Sequence, residues 1–368
     1  MRAKPWQSAW KARFEHVQSL NVERKHRLSM GVVLLAAFFS SFGCYFWILY
    51  RPSDTQISFK ENVLTPHDEL FAVDVRESGR GWAVGKYGLI LRTDDGGQSW
   101  RAQKAGTTKT LTGVSFTDEQ HGFAVGSGGI VLATVDGGLF WRAQNSGTQN
   151  QLLSVQALNP ADGYAVGAFG TFLSTSNGGA TWRKHQFSWD SLISSLIKQI
   201  GYVEPNLNGL YFVRPGVGWL VGEFGMVLHT RDGGRTWTVQ RYGKDLPELF
   251  AVKFLDEHTG FAVGQQGAFI KTEDGGKNWV ETRIGTKGLY GVALSGKRGV
   301  IVGDGVAWKT NDGGLYWAQS KSFPQHLWFS GIAIRGNKAS VLGQAGTLLL
   351  FDLEKETATP LDHGRINS

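Results

Sequence analysis

The sequence predicts an all-β protein, a seven-bladed β-propeller with a glycine-rich hairpin in nearly every blade, preceded by one N-terminal transmembrane helix. Three observations carry this. An octet T-x-[DN]-G-G-x-x-W occurs six times, from Thr93, Thr134, Thr175, Thr230, Thr272 and Thr310. An apolar unit ending in V-G or L-G precedes each octet and occurs once more near the C-terminus; its closing glycines, Gly85, Gly126, Gly167, Gly222, Gly264, Gly303 and Gly343, lie 41, 41, 55, 42, 39 and 40 residues apart. A period near forty fits four short strands joined by tight turns, which is one propeller blade. Finally, residues 30–50 form a run of 21 without a charge.

Within the first repeat, Leu70 to Val75 alternates as a strand, Gly81 to Val84 is a short second strand, Leu89 to Thr93 a third, and Trp100 opens a fourth. The octet is therefore the turn between strands three and four. Its glycines supply positive φ, and its third position, Asp95, Asp136, Asn177, Asp232, Asp274 or Asp312, accepts backbone N–H bonds. Position two varies freely (Asp94, Val135, Ser176, Arg231, Glu273, Asn311), so Asp94 and Asp95 are not half of a paired-acid engine. Asn177 can accept a hydrogen bond but cannot act as a base, which assigns the position to the backbone. The closing tryptophans Trp100, Trp141, Trp182, Trp237, Trp279 and Trp317 are read as structural too. In the seventh repeat, GTLLLFDLEKE from Gly346 keeps strand three but lacks the glycine pair and the tryptophan. That blade is expected to close differently, borrowing ISFKENVL near Ile57 as a strand so that the ring has no free edge.

The organisation that follows is a basic tail at 1–29, an anchor at 30–50, a linker or closing strand at 51–67, and the propeller at 68–364 with an insertion at 183–206. An apolar run of 21 residues spans about 31 Å as a helix, enough for a bilayer. The tail carries seven Lys or Arg against two Glu, so the positive-inside rule places it in the cytoplasm and the propeller in the periplasm, as a single-pass protein of a bacterial inner membrane. A cleaved signal peptide has a shorter apolar core, which favours a retained anchor. SFGC at Ser41 to Cys44 faintly resembles a lipid-attachment signal, and acylation of Cys44 stays open. Trp6, Trp10, Phe14 and Val17 fall at helical spacing; lying on the leaflet and forming an ordinary flank are equal alternatives. The tail accounts for +5 of the formal net charge of +7, so the propeller has no basic surface that calls for nucleic acid.

Catalytic signatures are missing. There is no phosphate-binding G-x-x-x-x-G-K-[ST], no H-E-x-x-H and no G-x-S-x-G, and nine scattered histidines and one cysteine give no ligand spacing. The expectation is no catalytic residue, metal or cofactor.

The octets resemble the Asp box, or bacterial neuraminidase repeat, a propeller hairpin found in sialidases, sortilin-like receptors and non-enzymatic propellers alike. A sialidase would add F-R-I-P and an arginine triad; the nearest string, Phe212 to Pro215, is permuted and mid-chain. The fuller pattern G-[WFY]-A-V-G-x-x-G-x-[IV]-L-x-T-x-D-G-G-x-x-W, at Gly81 to Trp100, Gly122 to Trp141 and Gly260 to Trp279, resembles the photosystem II assembly and stability factor family of cyanobacteria and plastids. Relatives of that family also occur in non-photosynthetic bacteria, often near genes for large RND-type exporters. The resemblance implies a non-enzymatic scaffold that docks on an integral membrane protein complex, an RND-type exporter being one such partner. The alternative is a glycan-binding or sialidase-like propeller.

Strand parity puts the Asp-box hairpins and the strand one-to-two loops on one face. The V-G-x-x-G turns, the blade connections and the insertion lie on the other. Leu192, Leu196 and Ile200 in the insertion suggest a short amphipathic helix. The partner surface is expected on this second face: Tyr87, Phe169 and Phe224 at turn tips, with Trp189 and Arg241 nearby, exposed aromatics and arginine being typical interface anchors.

Overall fold

A computed structural model describes residues 68–361, Tyr202 excepted, together with Ile366 and Asn367. The described residues form seven antiparallel sheets, each of four consecutive strands. Blade 1 runs from Leu70 to Gln103, blade 2 from Leu111 to Gln144, blade 3 from Leu152 to His185 and blade 4 from Leu207 to Arg241. Blade 5 runs from Leu249 to Arg283, blade 6 from Leu289 to Ser320 and blade 7 from Phe329 to Pro360. The segments read from the sequence as tail and anchor, 1–29 and 30–50, lie outside the described residues. Among the described residues no helix is long and apolar enough to cross a membrane.

Strand one of each blade is the innermost, and the packing of these seven strands closes the ring. Its third residue is Ala72, Gly113, Ser154, Gly209, Ala251, Gly291 or Gly331. The choice is steric: a Cβ at Gly113, Gly209 or Gly291 would meet the neighbouring blade's first strand at 3.3, 2.9 or 2.7 Å, so only small residues let the inner strands converge. The fifth residue then pins the next blade. Asp74 Oδ2 accepts the Phe116 N–H at 2.7 Å, Ser115 Oγ accepts that of Ala157 at 3.1 Å, and Gln156 both accepts from and donates to the Phe212 backbone. Strand two, G-[WFY]-A-V-G in most blades, is buried along its whole length, because both faces of the sheet pack against neighbouring blades.

Blade 7 and the insertion depart from the repeat pattern, and the expected bound of the insertion is corrected. Among the described residues blade 7 has its own fourth strand, Thr357–Pro360, supplied after a turn that manages without the glycine pair. The segment near Ile57 lies outside the described residues. The ring is joined where Ser330 Oγ donates to Phe71 O at 3.0 Å, Arg335 Nε donates to Glu77 O at 2.8 Å and Phe71 stacks on Trp328. The backbone of Ile366–Asn367 adds a parallel fifth strand outside Trp100–Gln103, so the fold reaches past residue 364.

The insertion begins later than the repeat step implies, because Arg183–His185 is the fourth strand of blade 3. The extra residues, 186–206, hold two short helices, Trp189–Leu192 and Ser194–Ile200, broken at Ile193. Their buried stripe is Trp189, Ile193 and Leu196, at i, i+4 and i+7, whereas Ile200 is 43% exposed. The stripe packs on the cluster of Phe172, Phe212 and Met226 between blades 3 and 4.

Candidate binding faces

At the Asp-box face, the hub of each hairpin is the first threonine. Thr93 Oγ1 donates to Asp95 Oδ1 at 2.8 Å and accepts the N–H groups of Gly97 at 2.9 Å and Asp95 at 3.3 Å. The same triangle recurs at Thr134, Thr175, Thr230, Thr272 and Thr310, all of them buried. Each carboxylate accepts the threonine hydroxyl and backbone N–H bonds of its own turn through Oδ1; Oδ2 is engaged too at Asp95, Asp232 and Asp274. Asp274 accepts from the backbone N–H and the side-chain amide of Asn278, which, with the Thr272 hydroxyl, hold its carboxyl down at about 2. Asp232 reaches about 2 as well: burial would raise it, but the Thr236 hydroxyl and N–H, Thr230 and the Arg235 N–H outweigh that. At Asn177 the side-chain amide donates to Thr181 Oγ1 at 2.9 Å, reversing the bond that Ser99 or Thr236 gives to an aspartate. A carboxylate that can be an amide in one copy, and is committed to local donors in the others, serves the turn rather than acid–base chemistry. Sequence reading found the aspartates and missed the threonines, although Thr heads every octet. The tryptophans pack edge-on against phenylalanines, Trp141 on Phe116, Trp182 on Phe123, Trp237 on Phe172, Trp279 on Phe254 and Trp317 on Phe269. Trp100 is 1% exposed and donates Nε1 to Gly97 O.

The opposite face has different turn chemistry. After each closing glycine the next N–H donates to the carbonyl of the residue preceding strand one, as Lys86 does to Glu69 and Gln265 to Glu248. That carbonyl approaches so closely that a Cβ on any of the seven closing glycines would lie 2.0–2.2 Å from it. Glycine is required there by crowding, since the backbone is extended. The fourth residue of the V-G-x-x-G turn is left-handed, with φ 58° at Tyr87, 61° at Gly128, 52° at Phe169, 58° at Phe224, 55° at Gln266 and 57° at Ala345. Glycine is the unstrained choice, and blade 2 uses it; bulky rings at this φ are rare.

The predicted contact residues separate here. Tyr87 and Phe169 stand 59% and 60% exposed at their tips, with the Phe169 N–H held by Asn206 Oδ1 at 3.0 Å. Trp189 is corrected: it is 4% exposed, stacked on Phe187 and lying over Gly170, where it anchors the insertion. Phe224 is half-buried against the same cluster. Arg241 is also spoken for, donating to Gly225 O at 2.8 Å and pairing with Glu281 at 2.5 Å. A residue that sequence reading missed lies on this face: burial, and then the charge of Glu223, push the Glu248 carboxyl up to about 7 against the pull of the Asn208 amide. Among the described residues no group of His, Cys, Asp or Glu is placed to hold a metal.

Seven four-stranded sheets, six of them carrying an Asp-box hairpin, define the class, a seven-bladed propeller whose hairpin chemistry is internal. The chain belongs to the family described as photosynthesis system II assembly factor YCF48, whose pattern matches residues 98–188, 139–249, 190–287 and 245–327, together more than half of the chain. Comparison with curated proteins finds no match. Among solved structures it is similar to YCF48 from Cyanidioschyzon merolae, at 23% identity and a TM-score of 0.66, over 80% of this chain and 98% of that one. It is similar also to a YCF48 bound to a D1 peptide, at 20% identity and a TM-score of 0.62, over 79% of this chain and 93% of that one. The GH74 xyloglucanase from Xanthomonas campestris has the same fold at 14% identity and a TM-score of 0.65, over 83% of this chain and 55% of that one.

Proposed function

We propose that the protein is a non-enzymatic, membrane-anchored propeller that binds a protein partner through its V-G-x-x-G face, as an assembly or accessory factor of an integral membrane protein complex. The carrying observation is the pair Tyr87 and Phe169. Each holds a large exposed ring in a left-handed conformation at a site where blade 2 uses glycine, and strain of this kind, on the order of 1–2 kcal/mol, is a mark of function rather than of folding. Family membership supports the reading, and so does the solved YCF48 whose description names a bound D1 peptide.

The anchor at 30–50 puts the propeller in the periplasm of a bacterial inner membrane. An RND-type exporter is one partner that fits this setting. A glycan-directed reading has the Asp boxes and the fold shared with GH74 enzymes for support; against it, each of those carboxylates is tied to its own hairpin through Oδ1. The test is cross-linking of the full-length tagged protein in membranes, followed by mass spectrometry. An integral membrane protein captured by the wild type and lost in Tyr87→Gly/Phe169→Gly supports the reading. Capture that is indifferent to both rings, or turnover of a fluorogenic sialoside, overturns it.

A further inference from the structure

The junction between blades 1 and 2 has an equivalent between blades 4 and 5, and the two are filled differently. In the first, three donors converge on Gly137 O: Trp82 Nε1 at 2.9 Å, Arg92 Nη1 at 3.3 Å and Gln103 Nε2 at 3.4 Å. The residues at the same repeat positions in the second are Trp219, His229 and Gln240, facing Gly275. Only Gln240 reaches the carbonyl, at 2.8 Å. Trp219 Nε1 and His229 Nε2 are buried without a hydrogen-bond partner, His229 being 7% exposed and stacked on Trp219. Imidazole is shorter than the arginine it replaces, and a cavity of about 330 Å³ opens over it, lined by His229, Arg231, Thr238, Gln240, Gly275 and Lys277 among others.

The charges around this cavity are mixed, Arg231 and Lys277 lying beside the carboxylate of Asp274. Arg231 and Lys277 are exposed and enter no ion pair among the described residues. Asp274 itself lines the cavity, its oxygens already bonded to the neutral groups of Thr272 and Asn278, while Glu257 pairs with Arg214 at 2.5 Å and Glu273 with Lys271 at 2.6 Å. Two unpaired cations above a pocket of side-chain size suit a carboxylate, which a guanidinium grips through two parallel N–H bonds. Burial and the adjacent Arg231 hold the His229 imidazole below its ordinary pKa, so it adds no third positive charge at neutral pH.

We propose that this cavity is a binding site for the carboxylate of an acidic peptide segment, gripped by Arg231 and Lys277. It lies on the Asp-box face, away from Tyr87 and Phe169, so it stands or falls separately from the docking surface proposed above.

The comparison of junctions supplies a discriminating variant. His229→Arg restores the residue of blade 1, fills the cavity and adds a positive charge. Occlusion then requires weaker binding of an acidic peptide, whereas diffuse electrostatic attraction requires tighter binding. The probe is a fluorescein-labelled oligoglutamate peptide, read by anisotropy on the full-length protein, with oligoglutamine as its neutral counterpart. Expected are selective binding of oligoglutamate, about tenfold weakening in His229→Arg, and a similar loss in Arg231→Ser/Lys277→Ser, whose side chains are exposed and make no hydrogen bond that folding needs. Arg183→Ser/Lys184→Ser removes the same charge elsewhere and leaves binding unchanged. Equal loss in both double variants, tighter binding in His229→Arg, or no preference for oligoglutamate overturns the site.

Discussion

The two ends of this propeller use glycine and positive φ in opposite ways. At the Asp-box end the Gly-Gly pair takes the left-handed conformation, as in Gly275 and Gly276 at 74° and 86°, and the polar groups of the turn satisfy one another around a buried threonine. At the other end the glycine before the turn is extended and is needed for crowding, while left-handed φ falls on Tyr87, Phe169, Phe224, Gln266 and Ala345. Turns that spend their chemistry internally are architecture. Turns that carry a bulky ring against the backbone's preference are where a partner is expected.

The largest effect that sharpens this contrast belongs to Gly264→Ala. Its Cβ would lie 2.0 Å from the Glu248 carbonyl oxygen, and the blade must shift at a cost of about 3 kcal/mol, measured by denaturant unfolding. Gly147→Ala is the matched control: φ is 70° there and nothing lies within 4 Å, so only the left-handed penalty of about 1 kcal/mol remains. Equal losses would remove the distinction between crowding and conformation.

Next comes the hub. Thr272→Val strips the hydroxyl that Gly276 N–H and Asp274 share, and the orphaned buried N–H makes the loss about 1–3 kcal/mol. Asp274→Asn, by contrast, costs much less than Thr272→Val, because Asn177 already does this work in blade 3. An Asn variant as damaging as the Val variant would mean that the negative charge itself matters.

Glu248 gives an effect whose sign is fixed. With its carboxyl raised from 4.5 to about 7, the folded protein holds a proton that the unfolded chain has released, so stability falls as pH rises through that window. Glu248→Gln therefore stabilises the protein by on the order of 1–2 kcal/mol above pH 7, allowing for partial exposure, and the advantage vanishes below about pH 4.5. Thermal melts of both proteins across this range check it; a constant difference, or destabilisation at high pH, contradicts it. The smallest effect on stability is Phe169→Gly, where relief of strain and the flexibility of glycine offset one another to within about 1 kcal/mol.

The fold was legible because its unit is repeated. One octet is ambiguous between catalysis and a turn; six copies with an Asn among them decide for the turn, and the four strands of blade 1 fall where alternation placed them. The closing glycines were visible as markers, but their reason was not: the Glu69 or Glu248 carbonyl that excludes a Cβ arrives from a neighbouring strand. Blade 7 lacks the motif yet keeps its four strands, which alternation without the glycine pair did not mark. Burial misled at the site. Trp189 looked like a free aromatic in an insertion, but its place at i, i+4, i+7 with Ile193 and Leu196 marked it as the buried stripe. Arg241 could not be assigned from sequence, since its partner Glu281 belongs to the next blade. The cavity at His229 was equally hidden, showing only when blade 4 is set beside blade 1.

The most direct measurement is partner capture by the full-length Tyr87→Gly/Phe169→Gly protein from membranes, alongside its melting temperature and that of the wild type. The account predicts a fold as stable as the wild type to within about 1 kcal/mol per site and loss of the cross-linked integral membrane protein. Undiminished capture by the variant would contradict the claim that the strained rings exist for a partner.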